Sequence, residues 1–537
     1  MIALQPHRRR ELGTMLDTPS RIGTVPTQPL NSSEQSILTA AKGSGIMFFG
    51  ALFEIAGRFA LGILFARFMG VQQYGMYNLA DSATGMLMGL SVLGLDTALV
   101  YFVPVWVGRQ DDESLWGAIQ VGLGLPLAVS LCGGISLFVL AAPVAQFVFH
   151  EPELVPLLRI AAFTIPCWTL LTSAVAVTRG LKLMHYKVIA QDIFLTLVKL
   201  ILTLLLAVTG LNALKAMTAY SLSLAFACAM LVYLVNRLIP LSQPWGSGLR
   251  YIKQMLSFSL PLYLTQLLSL FGLNLRTMLV GALNTVTSVG IFAAATRVSI
   301  IGTAFVNSVG IMSMPIISEL HSKKQHGQLG HFYQTMTKWT FTLNLPLFLS
   351  VLLFSRPILS IFGESFMAGS TALIILAAGD LVNAAAGMSS SMITMTGNSW
   401  LKAGNSIAML VLSLALSVWL IPGWGAVGAA TATTASVFII EVVQVFEVFV
   451  LFRWLPYNRG FIKPVTAGLV SALATSAVAR WIFTRADVAS AFLCMSVLAA
   501  IYALSIVLMG LSEEDRLILK RLYYFLRRRV MPQENAR

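Results

Sequence analysis

Fourteen apolar runs, most of them about twenty residues long, are the feature that most constrains this chain. A run of that length crosses the hydrocarbon core of a bilayer as an α-helix. Inside lipid, only helices and closed barrels satisfy every backbone hydrogen bond. Barrel strands would be runs of about ten residues with alternating polarity, whereas these runs are continuous. The sequence therefore predicts an all-α integral membrane protein with about fourteen transmembrane helices.

The predicted spans are numbered in chain order. Spans 1 to 6 are predicted at 44–67, 79–102, 117–141, 157–178, 188–209 and 213–235. Spans 7 to 12 are predicted at 256–280, 287–314, 337–355, 370–394, 404–421 and 426–451. Spans 13 and 14 are predicted at 464–483 and 488–510.

Composition and charge agree with this prediction. Hydrophobic residues make up 57% of the chain and charged residues 11%, against about 25% charged in a soluble domain. The net charge of +14 does not indicate nucleic-acid binding, because the basic residues lie in the segments between spans. Of the 36 Lys and Arg residues, 26 fall on one predicted side, five on the other and five within spans. The positive-inside rule then predicts a multi-pass protein of the bacterial cytoplasmic (inner) membrane with both termini in the cytoplasm.

An internal repeat divides the spans into two sets of six. VQQYGMYNLADS around Gly75 matches VTSVGIFAAATR around Gly290 at an offset of 215, and VTRGL near Gly180 matches TMTGN near Gly397 at 217. Because six is even, the two copies share one orientation and are related by an axis along the membrane normal. We therefore expect two pseudo-symmetric six-helix lobes around a central cavity, an arrangement typical of alternating access, plus two C-terminal helices.

Six segments follow from these patterns. They are a disordered cytoplasmic tail at 1–43, an N-lobe at 44–236, a cytoplasmic linker at 237–255, a C-lobe at 256–451, accessory spans at 464–511, and a basic amphipathic cytoplasmic tail at 512–537.

Catalytic and metal-binding patterns are weak throughout. No GxxxxGK[ST] loop is present, and the four cysteines, Cys132, Cys167, Cys228 and Cys494, fall inside apolar runs. His150, Glu151 and Glu153 in FHEPE, and His321, His326 and His331, are predicted to lie in solvated loops. We expect no catalytic residue, metal or cofactor, and the sequence leaves coupling to a proton or sodium gradient open.

Four segments carry a family resemblance. They are ARFMGVQQYGMYNLADSATGMLMGLSVLGLDTALVYFVP at 66–104, FGESFMAGSTALIILAAGDLV at 362–382, MTGNSWLKAGN at 395–405 and IPGWGAVGAATATTASV at 421–437. Together they resemble the bacterial polysaccharide-export flippases of the multidrug/oligosaccharidyl-lipid/polysaccharide exporter superfamily. The resemblance implies a V-shaped, two-lobed fold and a polyprenyl-pyrophosphate-linked oligosaccharide as cargo. It further implies membrane lipids as partners, together with a polymerase and glycosyltransferases of the same pathway.

Two other functions remain as alternatives. A cation-coupled multidrug exporter of the same superfamily would have twelve spans and an acidic cavity, which disagrees with fourteen spans and several buried arginines. A membrane polysaccharide polymerase or ligase would carry a large outer loop with catalytic residues, and no connection between the predicted spans is long enough. We therefore expect a transporter and not an enzyme.

Charged residues inside the predicted spans are the candidate site. A charge at the bilayer centre costs about 2.5–3.5 kcal/mol on insertion scales, so such residues face a partner or a wet cavity. The candidates for contact with an anionic cargo are Arg58, Arg276, Arg297, Glu54 and Lys199. The candidates for coupling to an ion are Asp96, Asp380 and Glu441.

Most of these candidates have a structural alternative. Glu54 and Arg58 could form a local ion pair, since four residues separate them, and Arg276 could extend to the headgroups. Lys199 could pair with Asp192. Arg297 could be the partner of Asp380 or Glu441, although its position in ATRVS resembles that of a cavity arginine in the related lipid II flippases.

Overall fold

The computed structural model describes residues 32–238, 248–482, 488–510 and 515–516. Contacts divide the chain into residues 1–49 and residues 50–537, and the first unit supplies the beginning of the first helix. That helix begins at Ser32, so the last part of the tail predicted to be disordered is helical. The remainder of that tail, most of the C-terminal tail and part of the linker lie outside the described residues.

Sixteen α-helices run through the described residues. They are α1 Ser32–Val92, α2 Leu95–Arg109, α3 Asp112–Pro143, α4 Leu154–Ala162, α5 Thr164–Gly180, α6 Met184–Lys187, α7 Leu195–Ala207, α8 Ala213–Leu238, α9 Ile252–Leu283, α10 Val286–Ser322, α11 His326–Ser360, α12 Ser370–Ala386, α13 Ser389–Met395, α14 Ser399–Phe452, α15 Ile462–Ile482 and α16 Val488–Leu508. Short π-helical or 3₁₀ segments adjoin several of them at Val144–Val148, Val188–Phe194, Gly248–Tyr251, Glu364–Gly369 and Arg459–Phe461.

These helices form fourteen spans within the described residues, which confirms the predicted number. Eleven helical stretches are long and apolar enough to cross a membrane. Two of these stretches each supply two spans. The first is α1 continued by α2, and it is broken at Gly70; the second is α14, and it is broken at Gly425. Both glycines have a positive φ. Helix α9 supplies span 7. The chain is thus a multi-pass membrane protein, and the numbering of spans 1 to 14 is kept below.

The breaks between spans repeat along the chain. Residues at positive φ occur at 110, 150, 182 and 210 in spans 1–6, and at 324, 363, 397 and 425 in spans 7–12. The offsets are 214, 213, 215 and 215, in agreement with the offset of the sequence repeat. The two lobes therefore share four of the positions where the chain turns, whereas Gly70, Gly94 and Gly387 have no counterpart at positive φ in the other lobe.

The connections are shorter than the sequence predicted. Span 8 continues to Ser322 and span 9 begins at His326, so three residues join them. His321, His326 and His331 consequently lie on helices, so their placement in a loop was wrong, although His326 and His331 are exposed as predicted. His321 and His326 face each other with ring centroids 6.5 Å apart, and His326 lies 6.3 Å from Trp454. Two facing histidines at helix ends are a packing contact beside the aromatic residues Phe452 and Trp454.

Asp111 organises the connection between spans 2 and 3. Its carboxylate accepts a hydrogen bond from the backbone N–H of Ser114 at 3.0 Å and caps helix α3. The Ser114 hydroxyl also donates to it, and these hydrogen bonds lower the pKa of Asp111. A capping carboxylate of this kind is typical of helix N-termini and stabilises the turn.

The backbones of the two lobes come into contact where spans 2 and 8 cross at Gly75 and Gly290. A Cβ atom added at Gly75 would overlap the Val286 carbonyl oxygen, and one added at Gly290 would overlap the Val71 carbonyl oxygen. Residues 71 and 286 are themselves 215 apart, so the contact is reciprocal between the repeats. The end of the bundle that contains this crossing is called the Gly75 end below, and the opposite end is called the Lys324 end.

Spans 2 and 7 pack against each other along most of their length. Gly85 and Gly89 of span 2 let span 7 approach closely, since added Cβ atoms would lie 3.1 Å from Asn274 and 3.2 Å from Leu270. The Tyr263 hydroxyl donates to the Gly89 carbonyl at 2.6 Å. This contact joins the N-lobe to the C-lobe on one side of the molecule.

The two accessory spans pack on span 9. The Tyr502 hydroxyl of span 14 donates to the Thr342 carbonyl at 3.0 Å. Beyond span 14, Asp515 accepts hydrogen bonds from Lys338 at 3.2 Å and from the Trp339 indole at 2.8 Å. The start of the C-terminal tail is therefore held on span 9 of the C-lobe.

Candidate functional site

Four of the predicted cavity residues are connected to one another or to one face of span 2. Tyr74 and Tyr77 lie three residues apart on that face, one helical turn from each other. Arg297 of span 8 lies against Tyr74, and Lys199 of span 5 lies against Tyr77. Arg58 of span 1 is joined to Arg297. We call this group the cation cluster: Glu54, Arg58, Lys199 and Arg297, with Tyr74 and Tyr77.

Arg297 is the member that connects the two lobes. Its Nη1 atom donates to the Arg58 carbonyl oxygen at 3.0 Å, and its guanidinium carbon lies 6.0 Å from the centroid of the Tyr74 ring. A side chain at Gly62 would overlap the guanidinium, so the glycine makes room for it. Among the described residues, Arg297 forms no ion pair with Asp380, Glu441 or any other carboxylate.

Glu54 and Arg58 form the local ion pair that was one of the two alternatives. Their side-chain atoms lie 3.5 Å apart, and the Arg58 side chain is 74% exposed. Because the Arg58 side chain keeps most of its surface accessible, the pair leaves it able to contact a ligand.

Lys199 does not pair with Asp192, the partner that the sequence suggested. Asp192 pairs with Lys187 at 3.0 Å, whereas the Lys199 ammonium donates to the Tyr77 hydroxyl at 3.0 Å. It also lies 4.0 Å from the centroid of the Tyr220 ring. Asp192 lies within the π-helical segment Val188–Phe194, and Lys199 lies on the regular helix that follows it.

Arg276 stands apart from the cluster. It lies on span 7, half-buried, and its Nε atom donates to the Gly272 carbonyl oxygen of its own helix. That hydrogen bond is local, so the geometry does not bring Arg276 together with the other candidate cations.

The three acidic candidates lie at separate places. Asp96 is in the first turn of helix α2, where the helix dipole favours a negative charge. Asp380 of span 10 accepts a hydrogen bond from the Ser299 hydroxyl of span 8. Glu441 of span 12 is near Lys402 of span 11, which acts on it electrostatically. The structure thus divides the acidic residues among three environments.

Asp380 has the most developed polar surroundings of the three. A Cβ atom added at Gly302 would lie 3.1 Å from the Asn344 side-chain oxygen and 3.4 Å from Asp380 Oδ2. The Asn344 side chain is 2% exposed, and its amide nitrogen donates to the Thr340 carbonyl. Two side-chain oxygens therefore converge beside Gly302 within the C-lobe.

Sequence reasoning did not select Tyr74, Tyr77, Tyr220 or Asp81. Tyr74 and Tyr77 were visible as an aromatic pair at helical spacing in the repeat segment VQQYGMYNLADS, which also contains Asp81. Asp81 acts electrostatically on both Lys199 and Tyr220. No sequence pattern links Tyr220 to Lys199, because the two residues lie on different spans.

Comparison with known families decides what kind of protein this is. A family model described as polysaccharide biosynthesis protein matches residues 64–369, which is more than half of the chain. The chain belongs to this family. The match confirms the resemblance to polysaccharide transporters. It covers the chain from the end of span 1 to the end of span 9, and it includes the whole cation cluster except Glu54 and Arg58.

One curated relative of this polysaccharide biosynthesis protein is from Haloferax volcanii and is named "Probable low-salt glycan biosynthesis flippase Agl15". It is 30% identical over 153 residues, which is 28% of this chain and 32% of the relative. The alignment therefore spans about a third of that protein's length.

Solved structures with the same fold confirm the two-lobed architecture. The lipid II flippase MurJ in an inward closed conformation superimposes with a TM-score of 0.70 at 14% identity, covering 87% of this chain and 98% of MurJ. An inward-facing multidrug resistance transporter of the MATE family and MOP superfamily gives a TM-score of 0.63 at 16% identity, covering 75% and 94%. At these identities the likeness concerns the fold alone.

Proposed function

We propose that this polysaccharide biosynthesis protein is a flippase that moves a polyprenyl-pyrophosphate-linked oligosaccharide from the inner to the outer leaflet by alternating access. The observation that carries the proposal is Arg297, a C-lobe guanidinium seated on the N-lobe without a carboxylate partner among the described residues. A guanidinium in that situation has donors to offer to phosphate oxygens. Membership of a polysaccharide biosynthesis family supplies the class of cargo.

The position of Arg297 also suits alternating access. Its hydrogen bond to the Arg58 carbonyl exists only while spans 1 and 8 are close. A diphosphate that takes over the guanidinium would replace a contact between the lobes with a contact to cargo. Cargo binding would then be coupled to separation of the lobes, since a ligand shifts an equilibrium by its differential affinity for the two states.

The lipid part of the cargo is proposed to remain in the bilayer beside spans 1 and 8. Toward the Lys324 end, span 1 exposes Leu52 and Ile55, and span 8 exposes Ile311 and Met312. On the other side of the molecule, spans 2 and 7 are packed together and joined by the Tyr263 hydrogen bond. We therefore infer that the headgroup reaches the cation cluster between spans 1 and 8.

Asp380 is the residue that we propose for coupling to an ion gradient. Its carboxylate accepts from a hydroxyl and lies near an amide oxygen, and among the described residues it forms no ion pair. A carboxylate within a span and without a cationic partner is typical of proton and cation pathways. Asp96 and Glu441 are weaker candidates. The helix N-terminus stabilises the charge of Asp96, and Lys402 stabilises that of Glu441, so each carboxylate has a structural role.

The protein is proposed to lie in the bacterial cytoplasmic membrane with the Lys324 end in the cytoplasm. We expect a cysteine placed at Glu364 to react with a membrane-impermeant maleimide added to intact spheroplasts. A cysteine at Lys324 should react only after the membrane is permeabilised. Both residues are exposed, so the accessibility of the native side chains is matched. Labelling of Lys324→Cys from outside would contradict this topology.

Deletion of the protein is expected to abolish a surface or secreted polysaccharide, such as a lipopolysaccharide or an exopolysaccharide. Its lipid-linked precursor should persist in the inner leaflet, because synthesis by the glycosyltransferases precedes translocation and polymerisation follows it. The measurement is the amount of surface polymer together with mass spectrometry of extracted lipid-linked intermediates. Normal polymer would contradict the proposal, and so would absence of the precursor. Drug hypersensitivity with normal polymer would favour a multidrug exporter.

A further inference from the structure

Lys199 is enclosed by aromatic rings from three other spans, a group that we call the lysine cage: Phe65 of span 1, Tyr77 of span 2 and Tyr220 of span 6. The ammonium nitrogen lies 4.0 Å from the centroid of the Tyr220 ring, 5.6 Å from that of Tyr77 and 5.7 Å from that of Phe65. Ring faces attract an ammonium group most strongly where water is excluded. The cage therefore holds the charge in one place.

The cage contributes no carboxylate to Lys199. Within the described part of the chain, the ammonium has no carboxylate at ion-pair distance, since Asp192 is taken by Lys187 and Asp81 acts on it only from farther away. An ammonium group has three N–H donors, and here the Tyr77 hydroxyl accepts one of them. In its protonated form the group thus combines a positive charge with hydrogen-bonding capacity for an anion.

Lys199 and Arg297 are presented side by side. Arg297 lies over Tyr74 and Lys199 is bound to Tyr77, and these tyrosines occupy successive turns of one face of span 2. Arg58 and Arg297 both act electrostatically on Lys199. Span 2 therefore carries two cations from different lobes along one line.

We propose that Lys199 is a second anion contact that binds one phosphate group of a diphosphate while Arg297 binds the other, and that Tyr77 and Tyr220 position its ammonium. The inference rests on the proposed function and adds to it the property that the site selects a diphosphate over a monophosphate. A lysine suits the role, because its compact charge and rotatable donors can turn toward a phosphate on the side that the rings leave open, whereas arginine requires a planar approach.

The test compares two ligands that differ by one phosphate. The purified full-length protein in detergent is titrated with farnesyl diphosphate and with farnesyl monophosphate by calorimetry, and inorganic pyrophosphate is used to separate headgroup from lipid binding. We expect the wild type to prefer the diphosphate by about tenfold, which corresponds to about 1.4 kcal/mol. Lys199→Gln should abolish the preference by weakening diphosphate binding, while the affinity for the monophosphate is retained.

The cage variants test positioning. Tyr220→Phe keeps a ring face beside the ammonium and should keep the preference, whereas Tyr220→Leu removes the ring and should reduce it. Lys215→Gln is the matched control, because Lys215 is a lysine of the same lobe that is bound to the carbonyls of Thr209 and Gly210 at the Gly75 end. It should leave both affinities unchanged.

The outcomes separate this inference from the proposed function. If the wild type binds neither isoprenoid phosphate, the proposed function itself is wrong. If it binds both and Lys199→Gln keeps the preference for the diphosphate, the role of Lys199 is wrong and the proposed function stands. If pyrophosphate alone reproduces the full affinity, the site recognises a free phosphate and not a lipid headgroup.

Discussion

Replacement of Arg297 by alanine is expected to reduce export of the polysaccharide about ten- to a hundredfold while the protein remains in the membrane. Hydrogen bonds to charged groups contribute about 1.5–3 kcal/mol each, and 1.4 kcal/mol corresponds to a factor of ten. Within the part of the chain that the structure describes, Arg297 donates one hydrogen bond, to the Arg58 carbonyl at 3.0 Å. Removal of the Arg297 side chain should therefore lower the stability of the protein only slightly, but it should weaken the binding of a diphosphate strongly.

Arg297→Lys is expected to keep part of the activity. Lysine retains the positive charge but loses the planar fork that binds two phosphate oxygens together. The measurement is the amount of surface polymer in a deletion strain that expresses each variant at equal membrane abundance. Arg159→Ala is the matched control, since Arg159 is an exposed arginine whose guanidinium lies 5.5 Å from the Phe138 ring centroid, away from the cation cluster.

The competing role for Arg297 is a structural pair with Asp380 or Glu441. Breaking a buried pair destabilises a protein by about 3–5 kcal/mol, so Arg297→Ala would then disappear from the membrane. In the described structure Asp380 accepts from Ser299 instead, and this geometry favours the functional role. Wild-type export at wild-type abundance would show that Arg297 does not bind cargo, and loss of the protein itself would favour the structural role.

Gly75→Ala and Gly290→Ala are each expected to lower the melting temperature of the protein in detergent and its abundance in the membrane. A methyl group at either position meets a backbone carbonyl of the other lobe, at Val286 or Val71. A backbone atom cannot rotate away as a side chain does, so spans 2 and 8 must separate. Overpacking of this kind costs about 1–3 kcal/mol.

The control for this prediction is on the same span. Gly108→Ala replaces a glycine whose added Cβ would have no atom within 4 Å. It therefore measures the effect of replacing a span 2 glycine that takes no part in the contact between the lobes. The double variant Gly75→Ala/Gly290→Ala should cost less than the sum of the two, because one separation relieves both overlaps. Unchanged melting of Gly75→Ala would mean that the two spans do not cross this closely.

The helices, their number and their duplication follow from sequence alone. Lipid offers no partner for a backbone N–H or C=O, so an apolar run of sufficient length must be helical wherever it packs. The repeat matched Gly75 with Gly290 as equivalent positions, and the structure shows that these two positions meet where the lobes cross. A small residue in a membrane helix is typical of a close approach between two helices, and small residues can be read directly from the sequence.

The connections were harder to place. Polar residues such as His321 and Lys324 suggested a loop, and the structure continues both helices to within three residues of each other. Amphipathic side chains at the end of a span can keep their polar groups in water while the backbone stays helical. Hydropathy therefore underestimates the length of a helix that projects beyond the bilayer.

Which charges would lie within the spans was determined by the sequence, but their partners were decided by the tertiary structure alone. Asp192 and Lys199 were candidates for each other because they are neighbours along one helix. The π-helical segment and the packing of spans 1, 2 and 6 instead direct Asp192 to Lys187 and Lys199 to Tyr77 and Tyr220. A charge within a span must be stabilised by a partner or by a water-filled cavity, so a charged residue in an apolar run indicates that such a contact exists. Where it finds compensation depends on contacts between residues 122 and 239 positions apart, and no local pattern encodes those contacts.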